Sequence, residues 1–116
     1  MTSPVTQAML QSFWEPEVLH VADVILDRGT YEVQVEGRLV RLTRSEFNLL
    51  ATLMSEPGRV FSRLDLLYRL TGETYKGYER TIDVHILHLR TKIEPDPRHP
   101  HYVKTVYGVG YRFTTS

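Results

Sequence analysis

The chain of 116 residues contains no cysteine, which excludes disulfides, thiolate zinc sites and cysteine nucleophiles. No apolar run approaches the roughly 18 residues that would cross a bilayer as a helix. The first residues have neither the basic flank nor the apolar core of a secretory signal. These absences agree with a cytoplasmic address for one domain of ordinary size. Phosphate-binding loops and paired nucleophile–base motifs are also missing, so an enzyme is not expected, nor is a cofactor. Net charge is absent as well, since 14 Lys and Arg balance 14 Asp and Glu. At first that argues against a nucleic-acid partner. The distribution argues otherwise: residues 1–75 carry −3, residues 76–116 carry +3, and four of the five histidines lie in the second segment. For an anionic partner the local field matters more than the total.

Residues 1–17 are small and polar, hold Pro4 and Pro16, and keep no period. They are expected to form a flexible tail or linker to a domain spanning 18–116. Val24–Leu26 reads as a strand that ends at the turn Asp27-Arg28-Gly29-Thr30. Tyr31, Val33 and Val35 then alternate with Glu32, Gln34 and Glu36, the period of a half-buried strand. Glu36-Gly37 is a candidate two-residue hairpin turn leading back through Leu39, Val40 and Leu42. Thr43 followed by Glu46 is a capping box ahead of a helix with Phe47, Leu50, Leu53 and Met54 inward, stopped at Pro57-Gly58. Ser62 caps a second helix, with Leu64, Leu67 and Leu70 inward and Gly72 at its end.

The third helix, residues 79–93, is the most informative element. At about 100° per residue, Ile82, Ile86, Leu89 and Ile93 form one core stripe. Arg80, Thr81, Val84, Leu87, His88 and Thr91 fall on the opposite face. His85 and Lys92 flank one side, Asp83 and Arg90 the other. A reader of the major groove needs short or branched side chains at its centre and phosphate-reaching donors at its margins. An ordinary solvated face would share most of this pattern, but it would not call for Val84 and Leu87. Asp83 is read as the partner of a neighbouring arginine. His85 and His88, even with His99 and His101 nearby, are a weak metal set, and no metal is expected.

A Pro-rich loop follows, then two β-rich runs, Val103–Val106 and Tyr111–Thr114, joined through Tyr107-Gly108-Val109-Gly110. Lys104 and Arg112 supply cations, Thr105 a hydroxyl, and Tyr107 an aromatic tip. Such a hairpin can lie along a minor groove or simply close a sheet.

The segments LTRSEFNLLATLMSEPGRVFSRLDLL, ERTIDVHILHLRTKIE and TVYGVGYRF, in this order, resemble the effector domain of OmpR/PhoB-type response regulators. These are winged-helix transcription factors of two-component systems. The resemblance runs from about Val18 to Phe113. It implies an α+β winged helix-turn-helix with an N-terminal four-stranded antiparallel sheet, a three-helix bundle and a C-terminal β-hairpin wing. It implies further that the third helix enters the major groove of double-stranded DNA, with Thr81, Val84 and His88 facing bases. Arg80, His85 and Arg90 match phosphate positions, and Lys92 and Lys104 join them as backbone cations. Thr105, Tyr107 and Tyr111 match wing contacts, beside Arg112.

The connector holding Thr74, Tyr75 and Lys76 matches a loop that touches RNA polymerase. A receiver domain is expected ahead of such a domain in the full-length protein. The isolated domain is expected to be a monomer that pairs in tandem on direct-repeat DNA. Leu87 and His88 depart from the family, which commonly carries Lys, Arg or Asn there. Leu87 cannot hold a phosphate, and His88 cannot make the bidentate Arg–guanine contact. A winged helix used for protein contacts through Val84 and Leu87 is the competing reading.

Overall fold

Alternating apolar and polar side chains build an antiparallel meander at the amino end: β1 (Val18–Val21), β2 (Val24–Asp27), β3 (Glu32–Val35) and β4 (Arg38–Val40), paired in that order. The computed structural model describes residues 16–74 and 77–116, so residues 1–15 of the expected tail lie outside the described residues. Val24 stands opposite Val35 and Leu26 opposite Val33, and all four are buried on the face that meets the helices. The Asp27 carboxylate accepts the N–H groups of Gly29 and Thr30 at 2.8 and 3.2 Å, which forms the expected turn. Glu36 and Gly37 both adopt positive φ (52° and 79°), the geometry of a two-residue hairpin that follows the strand twist.

Tyr31 departs from the alternation. It precedes β3 with φ of 59° and is 55 % exposed, resting on the Phe47 ring with the Arg44 guanidinium over it. The left-handed backbone at the turn's exit takes this residue out of the pleat, which only begins at Glu32.

Helix α1 (Arg44–Ser55) starts at the predicted capping box: Thr43 Oγ1 accepts the Glu46 N–H, and Glu46 Oε1 accepts the Thr43 N–H at 2.9 Å. Strand β5 (Phe61–Ser62) leads into α2 (Arg63–Thr71), where Ser62 Oγ caps the Asp65 N–H and Gly72 ends the helix in the left-handed conformation. Leu66 and Leu67 are the residues of α2 that are fully covered, while Leu64 and Leu70 are only partly covered. The helix packs against both α1 and α3, so its buried stripe is wider than a single row of leucines. Helix α3 (Glu79–Ile93) follows, then β6 (Val103–Val106) and β7 (Gly110–Phe113).

The second sheet has the order β5-β7-β6. Gly110, expected in the turn, is the first residue of β7 and pairs with both Ser62 and Val106. A Cβ there would lie 1.9 Å from the Phe61 carbonyl oxygen, so only glycine lets the short β5 approach. One core joins the first sheet, the three helices and the inner face of the hairpin. Among the described residues, no helix is long and apolar enough to cross a membrane.

Candidate nucleic-acid interface

The α3 sequence divides by burial as its period requires. Ile82, Ile86, Leu89 and Ile93 are buried; Arg80, Thr81, Val84, Leu87, His88 and Thr91 are exposed; the flanking Asp83, His85, Arg90 and Lys92 are intermediate. Three of the four flanking side chains tie the helix to its neighbours. Asp83 accepts the Arg63 guanidinium through both oxygens, at 3.0 and 2.5 Å, and the Tyr111 hydroxyl at 2.8 Å. One carboxylate thus joins α2, α3 and the hairpin, the arginine-partner role read from the sequence. Burial pushes the Tyr111 phenol up to about 12, reinforced by its bond to Asp83, so it remains a neutral donor at ordinary pH.

Arg90 works on the same flank. Its Nε and one terminal nitrogen donate to the Val103 carbonyl at 3.0 and 2.9 Å, that nitrogen also donates to Thr105 Oγ1 at 2.7 Å, and the guanidinium sits over the Tyr111 ring. On the other flank, Lys92 Nζ reaches the buried Glu46 Oε1 at 2.6 Å. Arg90 and Lys92, expected at the DNA backbone, and Tyr111, expected as a wing contact, therefore commit polar atoms inside the domain. Their neighbours lie 13 to 46 residues away in sequence, which no local pattern displays. Arg90→Ala is expected to lower the unfolding free energy of the DNA-free domain by about 1–2 kcal/mol, since a buried carbonyl and a hydroxyl lose a charged donor. Urea unfolding measures this, and a loss within about 0.5 kcal/mol, usual for an exposed side chain, would return Arg90 to the solvent-facing set.

The hairpin is held just as closely. Glu94, buried at the end of α3, accepts the N–H groups of His101, Tyr102 and Val103 at 2.7 to 3.1 Å. That carboxylate closes the Pro-rich loop and aims β6 from the end of α3, and nothing in the local sequence marked it. Lys104 and Arg112 are cross-strand partners and share the face opposite buried Val103 and Phe113. Like charges directly opposed destabilise a sheet, so this pair favours an anion. Tyr107, 90 % exposed, caps the tip, where Gly108 turns the chain at φ of 77°. An open cleft of about 530 Å³ runs between the hairpin and the Arg63–Asp83 corner.

Residues 37–113 match the family described as "Transcriptional regulatory protein, C terminal". The chain belongs to that family. The effector domain is 43 % identical over 90 residues to the transcriptional regulatory protein BaeR of Escherichia coli, covering 78 % of this chain and 38 % of that protein. Over 106 residues it is 39 % identical to the DNA-binding dual master transcriptional regulator RpaA of Synechocystis, covering 91 % and 44 %. The chain thus spans about two fifths of the length of the curated relatives it matches.

Among solved structures, the effector domain superposes on the DNA-binding domain of Klebsiella pneumoniae RstA, determined in complex with the RstA box. The TM-score is 0.80 at 31 % identity, covering 87 % of this chain and all of that one. The DNA-binding domain of Escherichia coli CpxR gives 0.74 at 33 %, with the same coverage. The fold is therefore the α+β winged helix of OmpR/PhoB-type effector domains, a DNA-binding family of transcriptional regulators and not a family of enzymes. Of the connector residues expected at RNA polymerase, Thr74 is exposed, while Tyr75 and Lys76 lie outside the described residues.

Proposed function

We propose that this effector domain binds double-stranded DNA sequence-specifically, as part of a transcriptional regulator in a two-component signalling system. Helix α3 enters the major groove and the β6–β7 wing meets the adjacent minor groove. The observation that carries this reading is the outward face of α3: exposed Thr81, Val84, Leu87 and His88, on a helix tied to α1, α2 and the wing through Lys92, Asp83 and Arg90. A face held this way meets a base edge without further ordering, which lowers the cost of binding. Cations accompany it, with Arg80 exposed on α3 and Lys104 and Arg112 paired across the wing.

We assign Thr81, Val84 and His88 to bases, Arg80, His85, Lys104 and Arg112 to phosphates, and Tyr107 to the wing tip. Arg90, Lys92, Thr105 and Tyr111 keep helix and wing in register. By family analogy, the regulator works in the cytoplasm behind a receiver domain. The connector from Thr74 to Lys76 faces RNA polymerase, and monomers pair in tandem on direct repeats.

Salt tests the reading. With about four phosphates neutralised, log affinity for a duplex should fall against log salt with a slope near −4. Arg80→Ala should flatten that slope by about 1 while weakening all sequences alike. Association with duplex DNA that ignores salt, or none at all, would favour a protein-docking role for the Val84–Leu87 face.

A further inference from the structure

Two branched apolar side chains stand exposed at the centre of the α3 face: Val84, 48 % exposed, and Leu87, 59 % exposed. One exposed leucine needs no explanation. These two are three residues apart, hence neighbours on the helix surface, and Thr81 continues the row one step earlier. Thr81, Val84 and Leu87 therefore present a strip of methyl groups, with His88 beside it. Neither Val84 nor Leu87 belongs to the core cluster or packs against it. Arg80 is exposed on the same helix face, and Lys104 and Arg112 pair across the wing.

A major groove offers little to an apolar strip. Its base edges are donors and acceptors, except for the C5 methyl of thymine. Bidentate recognition of guanine needs an arginine or lysine, which this strip lacks, and His88 supplies one hydrogen bond at most. Resting on the DNA-binding reading above, we infer that Val84 and Leu87 read pyrimidine C5-methyl groups, so that thymines, not guanines, define the centre of the preferred site. The methyl can come from thymine or from 5-methylcytosine. The assignment is to thymine, the methylated pyrimidine of an unmodified duplex.

The test starts from a duplex selected out of random sequence by the domain. Thymines facing α3 are replaced singly by uracil, which removes the methyl and keeps every hydrogen-bonding group. Each replacement under Leu87 or Val84 is expected to weaken binding about four-fold, the effect of leaving one methyl group unburied, at an unchanged salt slope. At the step under Leu87, the Leu87→Ala variant should bind thymine and uracil duplexes equally, while keeping the discrimination under Val84 and the wild-type salt slope. Cytosine placed at the same step should bind weakly, and its 5-methyl form should recover about four-fold.

A selected site whose affinity is indifferent to uracil would overturn the methyl reading and leave DNA binding intact, as would failure of 5-methylcytosine to recover affinity. Loss of salt-dependent binding to every duplex would overturn the DNA reading itself.

Discussion

Alanine at position 110 is expected to destabilise the domain by about 3 kcal/mol, the upper end of the usual overpacking cost. The added methyl would sit 1.9 Å from the Phe61 carbonyl oxygen, 2.8 Å from its carbon and 3.0 Å from Ser62 Cα. All three are backbone atoms, so no side chain can swing aside. Strand β7 is the middle strand of its sheet, held against β6 on one edge, and relief requires β5 to peel away. Phe61 then loses its burial and Ser62 its capping position at α2. Urea unfolding should show a lower midpoint at an unchanged slope.

Gly108→Ala provides the internal comparison. Gly108, unlike Gly110, has positive φ, but nothing lies within 4 Å of its Cβ position, so only the left-handed backbone is penalised, by about 1–2 kcal/mol. If the alanine at 108 proved as damaging as the one at 110, close approach of β5 would not be what position 110 requires. For function, displacement of β7 moves Tyr111 off Asp83 and the wing away from α3, so Gly110→Ala should weaken DNA binding more than its residual fold would suggest.

The division of α3 was legible because helical period is a property of consecutive residues. Ile82, Ile86, Leu89 and Ile93 repeat at helical spacing, and any packing that buries one buries all. Both caps were legible for the same local reason: Thr43 with Glu46, and Ser62 with Asp65, satisfy N–H groups three residues on. What escaped was set by residues distant in sequence. Gly110 resembles a turn glycine until β5 is brought beside it from residues 61–62. Tyr31 continues a perfect alternation, and only the positive φ at the end of its turn removes it from the strand. Leu66 is buried because α2 meets two helices, not one.

The same division sorts the interface. Exposure of Thr81, Val84, Leu87 and His88 follows from the period alone, so the reading face was visible early. Which flanking cations remain available to an anion was not visible. A guanidinium at position 90 and an ammonium at position 92 look like phosphate ligands in one dimension. In three, Arg90 faces the Val103 carbonyl and Lys92 faces Glu46. Charge counting along the chain therefore overstates the cations presented to DNA, and Arg80, Lys104 and Arg112 carry more of the electrostatics than their number implies.

Lys92→Met is expected to cost about 2–3 kcal/mol in the absence of DNA. Breaking a fully buried ion pair costs about 3–5 kcal/mol, and the Lys92 side chain is still 35 % exposed while that of Glu46 is 3 % exposed, so solvent screening reduces the figure. Burial pushes the Glu46 carboxyl up, but the Lys92 ammonium, the Thr43 N–H and the Thr43 hydroxyl outweigh it and hold the group below its ordinary value. A depressed folded value gives a fixed sign: the stabilisation is full above the ordinary carboxylate range and disappears as pH falls through the lowered value. Without Lys92, burial has less opposition, the folded value rises, and acid unfolding should begin at a higher pH than in the parent domain.

A double-mutant cycle with Glu46→Gln isolates the pair. The Lys92→Met change should cost much less once Glu46 is already glutamine, because no buried carboxylate is left unpaired. Independent, additive losses would mean that the 2.6 Å contact contributes little, and that Lys92 is free to leave Glu46 for a phosphate. In that event Lys92→Met would also flatten the salt dependence of duplex binding by about 1. An unchanged slope together with a strong coupling would establish Lys92 as a tether between α3 and α1.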